Sequence, residues 1–227
     1  MQEESVLRLA RELAERLGPG DLDATLAQVT EAAVAVLPNV QYCSITVLTP
    51  DGLHTAAPTD ERLLALDEQQ YRLREGPCFE AATEASHIIS SDLRADPRFP
   101  QYGPLAAEQG IRAQAGLRLY DAPKSNGALN LYSTKVGAFE DSSTLRALFA
   151  HQAGQAIAYA NEIATLSEAV RTRTLIGEAV GIVMERFGLT DERAFAFLKR
   201  LSSHRNVKLR DIAQEFVDEA NARGEAP

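Results

Sequence analysis

Lys199, Arg200, His204, Arg205, Lys208 and Arg210 fall around one short stretch near the C-terminal end of the chain. From Arg171 to Arg210 nine basic residues face four acidic ones, a net +5, inside a chain whose formal net charge is −9. A confined basic patch on an acidic protein points to a local polyanion site and argues against a surface that coats nucleic acid throughout. In such a patch Lys199, Arg200, Arg205, Lys208 and Arg210 would meet phosphates and set orientation. Ser202 and Asn206, set among them, could exchange hydrogen bonds with bases. Phe195 and Phe197 are expected to pack inside, so recognition would use shape and polar contacts, without an aromatic platform. The competing reading is a solvated face, which accounts for most charge runs.

Other chemistry-bearing residues are sparse. Cys78 follows Gly76-Pro77 and would sit at a helix N-terminus, where the helix dipole lowers a thiol pKa. It is the one candidate for a ligand-contacting or redox-sensitive thiol, against the plainer reading of a small buried side chain. Cys43 lies in a strand pattern and reads as core. Two cysteines are too few for a disulfide scaffold and lack metal-ligand spacing. His54, His87, His151 and His204 form no zinc-type pair, so neither metal nor cofactor is expected. Asp92, Arg94 and Asp96 read as turn residues of a proline-rich loop. No paired carboxylates, nucleophile elbow or phosphate-cradling glycine loop occurs, which leaves an enzyme reading without residues.

The elements that must position the basic residues follow from periodicity. Ile176, Ala179, Val183 and Phe187 predict a helix that Gly188 ends. Thr190 is placed to cap a second, with Asp191 and Glu192 in its first turn and Ala194, Phe197, Leu198 and Leu201 as its stripe. Leu209, Ile212, Ala213, Phe216 and Val217 predict a third. Each stripe needs the others for burial, which predicts a small bundle. The pattern Arg173, Ile176-Gly177, Ala179, Gly181-Ile182, Met184, Ala194-Phe195, Leu198, Ser202, Asn206 to Asp211 and Ala213 resembles the ANTAR domain, an RNA-binding output module of transcription antiterminators. The resemblance implies binding of stem-loops in nascent leader RNA, and it adds Arg173 to the candidate RNA-binding residues. Val180 stands where many members carry a lysine, so no cation is expected there.

The remainder reads as a second domain, and 227 residues with 45% hydrophobic content suffice for two packed cores. The first helix is expected at Glu3–Leu17 and another from Leu22, with Leu26, Val29, Ala33 and Val36 on one face. Strands are expected at Tyr42–Leu48, Leu53–Ala57, His87–Ser90, Arg112–Tyr120 and Ala128–Thr134. The last two would be joined by a turn containing Pro123 and Asn126-Gly127. Helices are expected at Glu61–Tyr71, Cys78–Ala82, Leu105–Gln109 and from Asp141. This order is α+β with a mainly antiparallel sheet. Cys43 to Val47, Glu75 to Cys78, Ile88 to Leu93 and Gly127 to Tyr132 resemble a GAF domain, a small-molecule sensing or dimerisation module whose family name supplies no ligand. The expected organisation is an N-terminal helix (1–20), a GAF-like sensor (21–163), an ANTAR domain (164–218) and a tail (219–227). A helical connector is shared around 141–187.

That connector carries apolar residues in steps of three and four from Leu145 through Phe149, Ala156, Tyr159, Ile163, Leu166, Val170, Val180 and Met184 to Phe187. It predicts a heptad seam interrupted by Gln152, Arg173 and Gly177. Such a seam needs a second chain or the N-terminal helix for stability, so a homodimer is expected, and Arg173 could serve it instead of RNA. No apolar run approaches a membrane span and the N-terminus lacks a signal-peptide core, so a cytosolic protein is expected. Two other functions fit the same residues. The last two helices could form a DNA-binding helix-turn-helix, although a connection from Ser202 to Lys208 is long for one. The module could also bind protein alone.

Overall fold

The computed structural model describes residues 21–84, 87–122, 125–140 and 143–224. The helix expected at Glu3–Leu17 lies outside these residues. Contacts divide the chain between Asn161 and Glu162 into two units. Among the described residues no helix is long and apolar enough to cross a membrane.

The first unit is built on an antiparallel sheet. Helix α1 (Leu22–Val36) starts where the Asp21 carboxylate accepts the Ala24 N–H at 2.8 Å, which satisfies one of the orphan donors of the first turn. Strands β1 (Tyr42–Thr49) and β2 (Gly52–Ala56) form a hairpin. Helices α2 (Arg62–Leu73) and α3 (Pro77–Thr83), strand β3 (His87–Ser90) and helix α4 (Tyr102–Glu108) come next. Strands β4 (Ala113–Ala122) and β5 (Ser125–Ser133) complete a five-stranded sheet in the order β2-β1-β5-β4-β3, antiparallel throughout. The expected α+β class, strand set and helix order are all present.

Alternation along the strands separates two faces. Cys43, Ile45 and Val47 of β1, Leu129 and Leu131 of β5, and Ala113, Ala115 and Leu117 of β4 pack with Leu26, Val29 and Ala33 of α1 and with Phe149, Ala153 and Ile157. The intervening positions, Ser44, Thr46, Gln114, Asn130 and Tyr132, form a buried and largely polar row under α2, α3 and α4. Two glycines permit the close approaches this layering needs. A Cβ on Gly116 would lie 2.3 Å from the Pro77 carbonyl oxygen, and one on Gly154 would lie 2.3 Å from that of Leu119. Leu119 is the extra residue at a register shift between Arg118 and Tyr120, where a bulge bends the strand.

One turn differs from expectation. Asn126 and Gly127 are strand residues paired with Asp121 and Tyr120, and β4 continues to Ala122. Strand pairing therefore runs past Asn126-Gly127 as far as Ala122 and Ser125.

Helix α5 (Ser143–Phe187) carries the predicted seam. In the first unit Phe149 is buried and Tyr159 is 64% exposed. In the second unit Val180 and Met184 pack into a bundle core, whereas Leu166 and Val170 are 60% and 65% exposed. A seven-residue repeat drifts by about 20° per heptad around an undistorted helix, so one seam meets different surroundings along its length.

The second unit is the expected three-helix bundle: the end of α5, α6 (Asp191–Arg205) and α7 (Leu209–Gly224). Ala179, Val183, Ala194, Leu198, Ile212 and Ala213 are fully buried. Helix α7 continues through residues expected to form a tail, with Arg223 and Glu219 one turn apart and facing at 4.0 Å.

Candidate nucleic-acid interface

The basic residues are displayed by the joint between α6 and α7. Gly188, at φ +61°, ends α5, and Thr190 enters α6 in extended conformation. Thr190 makes no side-chain capping bond; Asp191 Oδ1 instead accepts the Glu192 N–H at 2.7 Å. At the other end Asn206 takes the left-handed conformation, φ 53° and ψ 40°, and its N–H reaches the Ser202 carbonyl. Asparagine tolerates this geometry better than most residues, which makes it a natural helix terminator. The Val207 N–H also donates to the Ser202 carbonyl at 3.1 Å, and Ser202 Oγ donates to the Val207 carbonyl at 2.6 Å. Three residues, Asn206 to Lys208, thus make the whole connection. Asp211 and Ile212 donate to the Lys208 carbonyl, so Lys208 is the cap residue of α7. A cation there opposes the helix dipole.

The candidate cations divide into two sets. Arg205 is held by Glu215 through two hydrogen bonds of 2.6 and 3.0 Å, which raise its pKa. Arg210 donates to Glu168 at 3.0 Å and to Asp211 at 3.3 Å. Lys199, Arg200 and Lys208 are exposed and make no ion pair among the described residues. Arg173 is likewise exposed without an ion-pair partner. Arg193, two helical turns before Arg200 on the same face of α6, is a further exposed cation that the sequence reading had not placed in the site. A free positive surface therefore remains after internal pairing, but it is smaller than the sequence implied.

Two expectations change at residue level. Ser202, expected to offer its hydroxyl to a base, spends its proton on the Val207 carbonyl and is half-buried. Phe195, expected inside, is 43% exposed, whereas Phe197 packs against Phe187 in a tilted pair at 5.6 Å and edge-to-face against Phe216 at 6.2 Å. Its position next to the buried Ala194 makes it look like core in the sequence; one step along α6 turns it outward.

Cys78 belongs to the other unit and to its buried polar row. It is fully buried; Gln114 Nε2 donates to Sγ at 2.6 Å, and the thiol and the Tyr132 hydroxyl are in hydrogen-bond contact at 3.3 Å. Burial pushes its thiol well above the ordinary range, with the nearby Asp67 charge adding to the effect. Of the two readings of Cys78, the small buried side chain is the one the structure shows; a helix N-terminus does not lower this thiol, because desolvation dominates. Cys43 is buried too. Asp92 and Asp96 each hold an arginine of the loop region, Arg112 at 3.1 Å and Arg98 at 2.6 Å. No cluster of metal-binding side chains occurs among the described residues.

The GAF domain family matches residues 20–158 and the ANTAR domain family matches residues 164–217. The transcriptional regulatory protein PdtaR of Mycobacterium tuberculosis is 32% identical over 57 residues. That stretch is 25% of this chain, and it spans only 28% of the length of that curated relative. Among solved structures, the GAF domain of a phosphoenolpyruvate-protein phosphotransferase from Coxiella burnetii superimposes with a TM-score of 0.54 at 17% identity, covering 71% of this chain and 98% of that one. Free methionine-R-sulfoxide reductase from Neisseria meningitidis, in complex with its substrate, gives 0.52 at 14% identity, covering 68% and 89%. At these identities the two structures speak for the fold alone.

Proposed function

The chain belongs to the GAF family and carries an ANTAR domain behind its GAF domain, and from that premise we propose that it is a transcription antitermination regulator that binds stem-loops in nascent leader RNA. The reading is carried by Lys199 and Arg200 on α6 and Lys208 at the α6–α7 joint, all exposed and without ion pairs among the described residues of the ANTAR domain. Phosphate contacts from these side chains orient the RNA, with Arg173, Arg205 and Arg210 as further contacts and Asn206 beside the bases. Sequence would be read in loops, because the A-form major groove is too narrow for side chains. The GAF domain is the input, for a small molecule or a protein signal, and the protein acts as a regulator in the cytoplasm without catalysis.

A homodimer completes the proposal. Ile163, Leu166 and Val170 recur in steps of three and four on α5 and are exposed, a stripe suited to a second copy. Two ANTAR domains linked in this way hold two stem-loops far more tightly than either holds one.

The test is a gel shift with a two-stem-loop RNA, a single hairpin and duplex DNA. Tight binding of the two-stem-loop RNA is expected. The Lys199→Ala, Arg200→Ala, Lys208→Ala triple variant should lose roughly tenfold or more, and the loss should shrink as salt rises. RNA bound equally well by the triple variant would refute the site. Preference for duplex DNA would instead favour a helix-turn-helix, a reading supported by the three-residue connection, which is shorter than the sequence suggested.

A further inference from the structure

The second unit holds four aromatic side chains. Three are joined: Phe187 to Phe197, Phe197 to Phe216, and the Arg186 guanidinium 5.7 Å over the Phe216 ring. Phe195 has no ring contact among the described residues and is 43% exposed. It borders an open groove of about 540 Å³ whose other wall is α5, at Ala169, Thr172, Arg173 and Ile176. The one carboxylate bordering the groove, Glu168, is bonded to Arg210. Arg173 on one wall and Lys199, one turn beyond Phe195 on α6, are exposed cations without ion pairs among the described residues.

An apolar ring flanked by two exposed cations, with the carboxylate that lines the groove bonded to Arg210, fits a flat apolar group carried on a polyanion, the phosphates lying toward Arg173 and Lys199 and away from the exposed Asp191 and Glu192 of the first turn of α6. It does not fit a second copy of this chain, whose own Arg173 and Lys199 would have to be accommodated. The stripe of Ile163, Leu166 and Val170 also lies roughly a third of a turn away around α5 from Ala169, Thr172 and Ile176, with Arg173 between the two. Pairing through that stripe would leave Phe195, Ala169, Thr172 and Ile176 uncovered and put Arg173 at the rim of the pairing face.

We propose that Phe195 is a stacking surface for one unpaired base in the loop of the bound RNA, with Arg173 and Lys199 holding the phosphates on either side of it. The proposal rests on the RNA-binding reading of the same domain and adds to it an aromatic recognition step. Unstacked loop bases commonly pack on aromatic side chains, and such stacking accepts any base because each has a π-face.

The experiment uses the full chain and a hairpin selected by it from a library with a fixed stem and a randomised loop. Phe195→Ala should lower affinity about tenfold or more, and Phe195→Tyr and Phe195→Trp should stay within about threefold of the parent. Phe195→Leu keeps apolar bulk without a π-face and should behave as the alanine variant does. With 2-aminopurine placed at each loop position in turn, one position should change fluorescence on binding to the parent protein and not to Phe195→Ala. Circular dichroism and light scattering accompany each variant. Parent-like affinity in Phe195→Leu overturns the stacking role while RNA binding stands. A Phe195→Leu variant that dissociates into monomers shows a contact between copies and also overturns it. Failure of the parent chain to select any hairpin removes both this inference and the function it rests on.

Discussion

Asp67 shows how far a single side chain can depart from its ordinary chemistry. It is fully buried, and its carboxylate accepts hydrogen bonds from Tyr132, from Ser44 at 2.8 Å, and from Gln70 and Thr55 at 3.1 Å. Burial pushes its pKa up to about 6 from 3.8, and the donors keep it from rising further. Because the folded value is the higher one, the native state holds the proton that the unfolded chain has released. This group's contribution is therefore full below about pH 4 and is lost as pH rises through about 6. Two units correspond to at most about 3 kcal/mol. Urea denaturation of the parent and of Asp67→Asn should show their stability difference changing across that window and levelling off above it. A difference that is flat with pH would mean that Asp67 is ionised throughout. None of this was legible in the sequence, where Asp67 is one acid in an exposed-looking helix and its donors come from three strands and from its own helix. Cys78 follows the plainer of its two readings, a small buried side chain: a thiol beside Gly-Pro shows its local helix in the sequence but not the layer of strands beneath it.

The elements were largely legible, because periodicity and punctuation are local properties. The helices from Leu22 to Phe216 and the five strands lie close to their expected places, and Gly188 ends α5 as expected. Departures occur where a distant partner decides the outcome. Asn126-Gly127 has turn composition, yet it pairs across the hairpin and also with Val47 and Leu48 on β1. Asn206 is the opposite case, a position whose backbone geometry explains the residue. Its left-handed conformation predicts that Asn206→Gly leaves stability nearly unchanged and Asn206→Val costs about 1–2 kcal/mol, measurable by thermal denaturation. The same pair separates cap from reader. If the side chain touches RNA, Asn206→Gly weakens binding while the fold stays intact; if it only ends the helix, binding survives.

At the scale of the whole molecule, the two-domain plan and the net charge of the basic segment are readable from composition and periodicity, but charge totals do not reveal which cations are already engaged. Arg210 finds Glu168 from 42 residues away and Arg205 finds Glu215 from 10 away. The exposed stripe leads to a prediction about assembly. Leu166→Glu with Val170→Glu should convert the proposed dimer to a monomer by light scattering. The fold should be retained, because both side chains are already largely in solvent. The double variant should also lose its preference for two stem-loops over one, which a dimer-independent mode of binding would preserve.

The carboxylates on Arg205 and Arg210 have a consequence for how binding would be measured. Glu168 and Glu215 act as tethered counterions. When a phosphate takes the place of one of them, the displaced partner stays attached to the protein and nothing is released to the bulk. The slope of log affinity against log salt counts released ions, so it would register the contacts at Lys199, Arg200 and Lys208 and pass over the two arginines. A salt titration of this protein should thus report fewer phosphate contacts than alanine substitution does, and the shortfall should point to the paired arginines.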